Sequence, residues 1–289
     1  DAPHTPRDSA DKETRRQEQQ VMKRETLKGR WAVVTGADSG IGLCFSHELA
    51  RLGCPVVMVS NVAERLRKEA RRLEEEFGVE TLALGADLTE PDAPQQIVNA
   101  LQEREITPAI LINNAGIFSF RELADTASGR IDAFIDLHCR AVTHLSQRLG
   151  AMMAGKGGGY ILNMSSMACW TPMPGIALYS ATKAYIRVLS RALSYELRPH
   201  GVKVMAACPG GIATDLFGLP ENLKRLAVRI GALDTPQRFT HKAVRRLLRG
   251  KRLYINGLLN RIGILTVALA PTSLRMMVKT RMLDRGITR

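Results

Sequence analysis

Tyr179 and Lys183 stand four residues apart in YSATK, and Ser166 lies thirteen residues upstream of the tyrosine in NMSSMACW. On a helix an i, i+4 spacing puts two side chains on one face, so a phenol and an ammonium can converge on one point. A phenol ordinarily keeps its proton to about pH 10, too tightly for exchange near neutrality, and a neighbouring ammonium lowers that value. With a serine hydroxyl to hold an oxygen, the three residues outline a site that protonates a carbonyl while hydride arrives at its carbon. None of the other four tyrosines has a lysine at the same spacing.

The source of hydride is implied by a second motif. Strand-like WAVVT runs directly into TGADSGIG, where Gly36, Gly40 and Gly42 let the backbone approach a pyrophosphate and aim the next helix N-terminus at its charge. An acidic residue ending the second strand suits the ribose diol of NAD, whereas a basic one pairs with a 2′-phosphate. Here that strand ends in Ser60 and Asn61, with no carboxylate and with Arg65 one helical turn on, so NADP(H) is favoured over NAD(H). Asp87 in GADLT is placed either to hold the adenine amine or to cap a helix with Thr89. Small residues follow the fourth strand in Asn114, Ala115 and Gly116, letting a cofactor lie flat against the backbone.

The elements that must position these groups alternate along the chain. WAVVT, PVVMVS and ETLAL are each followed by a helical stretch, and the pattern continues through AILINNAG, YILNMSS and VKVMAACPGG. Strands this apolar with helices between them are buried on both faces, which predicts an α/β fold: a Rossmann-like doubly wound parallel sheet of about seven strands, closed by RLYIN at 252–256. Residues 1–28 are charged without apolar periodicity and read as a flexible tail, 29–256 as one domain, and 257–289 as a basic, apolar C-terminal helical extension. The stretch from 211 to about 238 reads as a mobile cover over substrate. Its Leu216 and Phe217, with Trp170 and Met173 near the serine, would line an apolar cleft.

Composition narrows the classes. The net charge of +13 equals the excess in residues 221–289 alone, which hold 16 Lys and Arg against 3 Asp and Glu. That stretch can attract an anionic lipid headgroup or an acyl-carrier phosphate, or it is a solvated basic face with no partner. Nucleic acid is disfavoured because no aromatic stacking residues interleave the basic ones. Five scattered cysteines without a CxxC pair indicate neither a disulfide framework nor a zinc site. A charged start and no apolar run of about 18 residues lead to the expectation of a cytoplasmic protein, with peripheral membrane contact through the C-terminal extension as a further expectation.

TGADSGIG, NNAG, NMSS, YSATK and CPGGIAT, in this order, resemble the short-chain dehydrogenase/reductase family over roughly residues 30–256, nearest its hydroxysteroid dehydrogenase and long-chain 3-oxoacyl reductase branch. The resemblance implies Ser166, Tyr179 and Lys183 as catalytic. It implies cofactor contacts from Gly36, Ser39, Gly40, Ile41 and Gly42, from Ser60, Asn61, Asp87 and Leu88, and from Asn114, Ala115 and Gly116, with Pro209, Gly210, Ile212 and Thr214 beside the carboxamide. Where the family usually has an Asn after the fourth strand, FIDLHCRAV has His138. An imidazole can hold a water or pass a proton; the competing reading is a buried structural histidine. The implied activity is NAD(P)(H)-dependent interconversion of a ketone and a secondary alcohol on a bulky lipophilic substrate, steroid or fatty-acyl. A homodimer or homotetramer through the two long helices is implied as well. The alternative is an NADP(H)-binding sensor or scaffold without turnover, which has no need of Ser, Tyr and Lys together.

Overall fold

The computed structural model describes residues 27–212, 228, 233–278 and 280. Seven strands form one sheet: β1 (Ala32–Thr35), β2 (Val56–Ser60), β3 (Thr81–Gly85), β4 (Ile110–Asn113), β5 (Gly159–Met164), β6 (Val202–Ala207) and β7 (Leu253–Tyr254). Their order is β3-β2-β1-β4-β5-β6-β7 and every pairing is parallel. Successive strand residues face opposite sides, so each central strand feeds two cores. Val34, Met58 and Ile112 pack into one, and Val33, Val57 and Leu111 into the other.

The connecting helices are α1 (Gly40–Arg51), α2 (Ala63–Phe77), α3 (Ala93–Gln102), α4 (Ser128–Ile135), α5 (Val142–Ala154), α6 (Ala177–Glu196) and α7 (Pro236–Leu248). Strand order reverses between β1 and β4, and in open parallel sheets the crevice outside the strand C-termini at that reversal is where ligands bind. The segment joining α4 to α5, Asp136–Ala141, is one widened π turn, a feature that concentrates at functional sites. It carries His138.

After β7 the chain forms α8 (Leu258–Ala268) and α9 (Thr272–Val278). Asn260 anchors α8 by donating to the Asn256 carbonyl at 2.7 Å, while the Gly210 amide donates to Asn256 Oδ1 at 2.8 Å. The C-terminal helix is thereby tied to the loop that follows β6. Most of the expected cover from 211 to 238, including Thr214, Leu216 and Phe217, lies outside the described residues, as does the expected tail to residue 26. Among the described residues no helix is long and apolar enough to cross a membrane, and no cluster of metal-ligating side chains occurs.

Candidate active site

One cleft runs along the C-terminal edge of the sheet. Gly36, Ser39, Gly40 and Ile41 line one end with Ser60, Asn61, Asp87 and Leu88; Asn114, Ala115 and Gly116 lie midway; Tyr179, Lys183 and Pro209 line the other end. Residues spread over more than 170 positions of sequence are thus brought to one channel. Gly36 and Gly40 have φ of +63° and +54°, the left-handed region that favours glycine. A Cβ on Gly40 would meet nothing within 4 Å, whereas one on Gly42 would fall 1.9 Å from the Gly36 carbonyl oxygen. Gly42 therefore serves turn-to-helix packing, and Gly40 leaves open space at the head of α1.

The first turn of α1 has no acidic residue, and Ser39 makes no capping hydrogen bond through its side chain. Its free N–H groups and the positive end of the helix dipole form a cradle that favours an anion. Thr35 holds this turn to the middle of the cleft: its Oγ1 accepts from the amides of Asn114 and Ala115, each at 3.0 Å. Asn114 Nδ2 donates back to the Thr35 carbonyl at 3.0 Å. The sequence reading passed over Thr35; its place immediately before the first glycine was the available signal.

Asp38 corrects the expectation that no carboxylate stands near the second strand. It comes from the glycine turn, is 6% exposed, and accepts hydrogen bonds from Ser60 Oγ at 2.6 Å and Arg65 Nε at 2.7 Å, with a further ion pair to Arg65. Burial pushes this carboxyl up, but the bonds from Ser60 and Arg65 outweigh it and hold Asp38 below its ordinary value. The acid in TGADSG was visible, but its partner 27 residues away was not. Asp87 accepts from the Thr89 amide at 2.9 Å and hydroxyl at 2.7 Å, and from Asn61 at 3.4 Å, so it closes a local turn; α3 starts beyond it at Ala93.

At the opposite end, β5 delivers two serines that the sequence could not separate by geometry. Ser165 turns inward and donates to the Lys183 carbonyl at 2.7 Å; Ser166 Oγ accepts the Ala168 amide at 3.2 Å, on the side of the Tyr179 phenol. The buried stripe of α6 includes Tyr179, Lys183, Ile186 and Ser190, at the three- and four-residue spacing of one helix face. Phe118 meets the Tyr179 ring edge-on at 5.0 Å between centroids. Lys183 Nζ lies 5.7 Å from that ring's centroid and donates to the Met164 carbonyl at 2.9 Å.

The ammonium does not lower the phenol as the spacing suggested. Burial pushes Tyr179 up, the Ser166 hydroxyl draws it down, and Cys169 raises it again, for a net rise. Lys183 is fully buried, and desolvation holds it down to about 8. The two effects share one cause, a low-dielectric site that disfavours either charged form.

His138 is fully buried on the π turn. Its Nε2 accepts the Ile117 amide at 3.1 Å, and its Nδ1 lies 2.9 Å from Thr182 Oγ1. Thr182 donates its own proton to the Tyr179 carbonyl at 3.0 Å, which makes Nδ1 the donor and the ring neutral. Burial, then the cations Lys183 and Arg130, hold this histidine well below its ordinary value. With both nitrogens engaged, no proton or lone pair is left to hand on, so the arrangement favours the structural reading over the relay. A Cβ on Gly116 would come within 3.0 Å of His138 Nε2 and 3.4 Å of Lys183 Nζ, which explains a glycine there.

Ile212 is 3% exposed and pairs with Asp234 instead of facing the cleft. Trp170 is half-buried beneath the Arg187 guanidinium at 4.9 Å, and Met173 is half-buried in the turn before α6.

The family model described as short chain dehydrogenase matches residues 30–221. The very-long-chain 3-oxoacyl-CoA reductase-B of Danio rerio is 30% identical over 261 residues, covering 88% of this chain and 80% of the relative. The 17-beta-hydroxysteroid dehydrogenase type 3 of Mus musculus is 36% identical over 190 residues, covering 65% and 62%. Among solved structures, a short-chain dehydrogenase from Sphingobium yanoikuyae in complex with NADPH is similar with a TM-score of 0.72 and 29% identity, over 88% of this chain and 96% of that one. With the parallel sheet and the glycine turn, and with Tyr179 and Lys183 in one cleft, these similarities establish that the chain belongs to the short-chain dehydrogenase family and is an NAD(P)-dependent oxidoreductase acting between CH–OH and C=O groups.

Proposed function

We propose that this enzyme interconverts a ketone and a secondary alcohol on a bulky lipophilic substrate, of 3-oxoacyl or hydroxysteroid type, with NADP(H) as its cofactor. The observation that carries the reading is the placement of Tyr179 and Lys183 together at the end of a cleft whose other end is the α1 anion cradle. A bound nicotinamide supplies or takes up the hydride. Ser166 Oγ holds the substrate oxygen, and the Tyr179 phenol, its proton retained by burial, donates to that oxygen in the reducing direction. Lys183, with its amine near neutrality, supplies the cation behind the phenol as charge develops on it. His138 fixes the Ile117 amide and, through Thr182, the first turn of α6.

Preference for the 2′-phosphate is supported by Arg65, half-exposed at the cleft edge and held there by Asp38. Names of the Danio rerio and Mus musculus relatives support the two substrate classes. Consumption of NADPH and NADH by wild type and Tyr179→Phe against 3-oxoacyl thioesters, oxosteroids and small ketones tests the whole reading. Preference for small ketones would overturn the substrate class, and undiminished turnover by the variant would overturn the acid.

Peripheral membrane contact is supported by the C-terminal helices, where Leu258, Leu259 and Leu269 are 70%, 67% and 83% exposed beside Arg261. Co-sedimentation with anionic against neutral lipid vesicles tests it; equal recovery in the supernatant would sink it. Assembly through the long helices is supported by exposed Tyr185, Val188 and Tyr195 on α6, and sedimentation velocity decides it.

A further inference from the structure

Five side chains of acidic or basic type line the cleft: Asp38, Arg65, Asp87, Arg130 and Lys183. Four of them are answered within the protein. Asp38 and Arg65 pair with each other, Asp87 accepts from Thr89 and Asn61, and Lys183 donates to the Met164 carbonyl while desolvation holds it down to about 8. Arg130 makes no ion pair among the described residues. Two contacts hold it in place. Its guanidinium lies 5.4 Å from the centroid of the fully buried Phe134 ring, four residues on, and its Nη2 donates to the Phe118 carbonyl at 3.1 Å. The other N–H groups of the fork have no partner among the described residues.

Arg130, Ala133 and Leu137 all line the cavity, and their i, i+3, i+7 spacing puts them on one face of α4 and the π turn that continues it. That wall stands across from the anion cradle: Phe45 and Leu49 of α1 pack into one core of the sheet, Leu137 and Ala141 of the π turn into the other. A ligand in the crevice between them meets the α1 N-terminus on one side and Arg130 on the other. A helix N-terminus offers about half an elementary charge, whereas a pyrophosphate is a dianion, so the cradle alone leaves most of that charge unbalanced. The Arg130 charge also reaches inward, since it helps to hold His138 below its ordinary value.

We propose that Arg130 binds a phosphoryl group of a ligand lying in the cleft, adding a full charge to the partial one that the α1 N-terminus supplies. A guanidinium fork suits the task, because its parallel N–H groups match two oxygens of one phosphate. Arg65 does not substitute for it, being paired with Asp38 at the β2 end. Two ligands carry such a group. One is the nicotinamide cofactor, whose pyrophosphate is common to NADPH and NADH; this source rests only on the NAD(P) dependence of the family. The other is a coenzyme A thioester, and this source rests on the proposed 3-oxoacyl substrate.

The test uses Arg130→Gln, which keeps a donor for the Phe118 carbonyl and removes the charge, and Arg130→Lys, which keeps the charge. Fluorescence titration of the full chain with NADPH and with NADH reads the first source without turnover. The Kd of Arg130→Gln should rise about tenfold for both cofactors and depend less on salt, with most of the loss recovered in Arg130→Lys. Calorimetric titration of the NADPH complex with coenzyme A against pantetheine reads the second. Weakened coenzyme A binding with unchanged pantetheine and cofactor binding would give the phosphoryl group to the substrate. If wild type binds no coenzyme A, the thioester reading fails and the cofactor titration decides the site by itself. Unchanged affinity for both cofactors and for coenzyme A would overturn the proposal. So would equal weakening in the lysine and glutamine variants, or a fall in the urea midpoint that tracks the loss of binding.

Discussion

The two ends of the cleft manage charge in opposite ways. At the α1 end, Asp38 keeps its charge because Arg65, half in solvent, pairs with it directly. At the α6 end, Lys183, Tyr179 and His138 are buried, with no carboxylate partner among the described residues, and each shifts toward its neutral form. An ion pair at the edge suits recognition of a charged group by contact. A dry site suits proton transfer, because water is kept from competing for the proton there.

Removing the proposed acid should break the buried end most severely. Tyr179→Phe is expected to lower kcat by about 10³-fold with NADPH binding retained, within the usual range for a general acid. Steady-state kinetics beside a fluorescence titration of NADPH separate the two; parallel loss of binding would mean that the ring serves the pocket instead.

Lys183 sharpens the electrostatic side. Its amine protonates at about 8 in the folded protein and at 10.5 when free. Between those values the unfolded chain binds the extra proton, so stability gained through this residue rises with pH across the window, and the cost of burying the charge is fully present below about 8. The effect is on the order of 3 kcal/mol. Urea unfolding of the apoprotein at pH 7.5 and 10.5 should show the rise in wild type and its loss in Lys183→Met, with other titrations cancelling in the difference.

His138 offers a smaller effect with a clear direction. His138→Ala leaves the partly buried Ile117 amide without its acceptor, a loss of about 1 kcal/mol in stability. His138→Asn restores an acceptor and should recover most of it, with no new limb in the pH profile of kcat. A relay role would instead give an altered profile at unchanged stability.

The smallest effect belongs to the exposed pair. Arg65→Ala should raise the KM for NADPH by about tenfold and leave that for NADH nearly unchanged, since a partly solvated contact contributes on the order of 1 kcal/mol. Equal changes for both cofactors would reduce Arg65 to a partner of Asp38.

The alternation of strands and helices and the spacing of Tyr179 and Lys183 were legible in the chain because both rest on local periodicity. Strands such as VVMVS are apolar throughout, which only two-sided burial explains, and all five residues of β2 are indeed buried. The spacing of Tyr179 and Lys183 was read from helix geometry, and both do lie in the buried stripe of α6. Sequence also determined the glycine turn, since its position between strand and helix is a local matter.

Only tertiary structure decided how those parts meet. Which serine of NMSS faces the phenol depends on the exit path of β5, and Asp38 finds Arg65 only because β1 and β2 lie side by side. The sign of the shift on Tyr179 turns on burial, which the i, i+4 spacing does not encode. Spacing along a chain fixes the face that a residue occupies; what it meets across that face is set by long-range packing, and with it the dielectric and the partner that govern its chemistry.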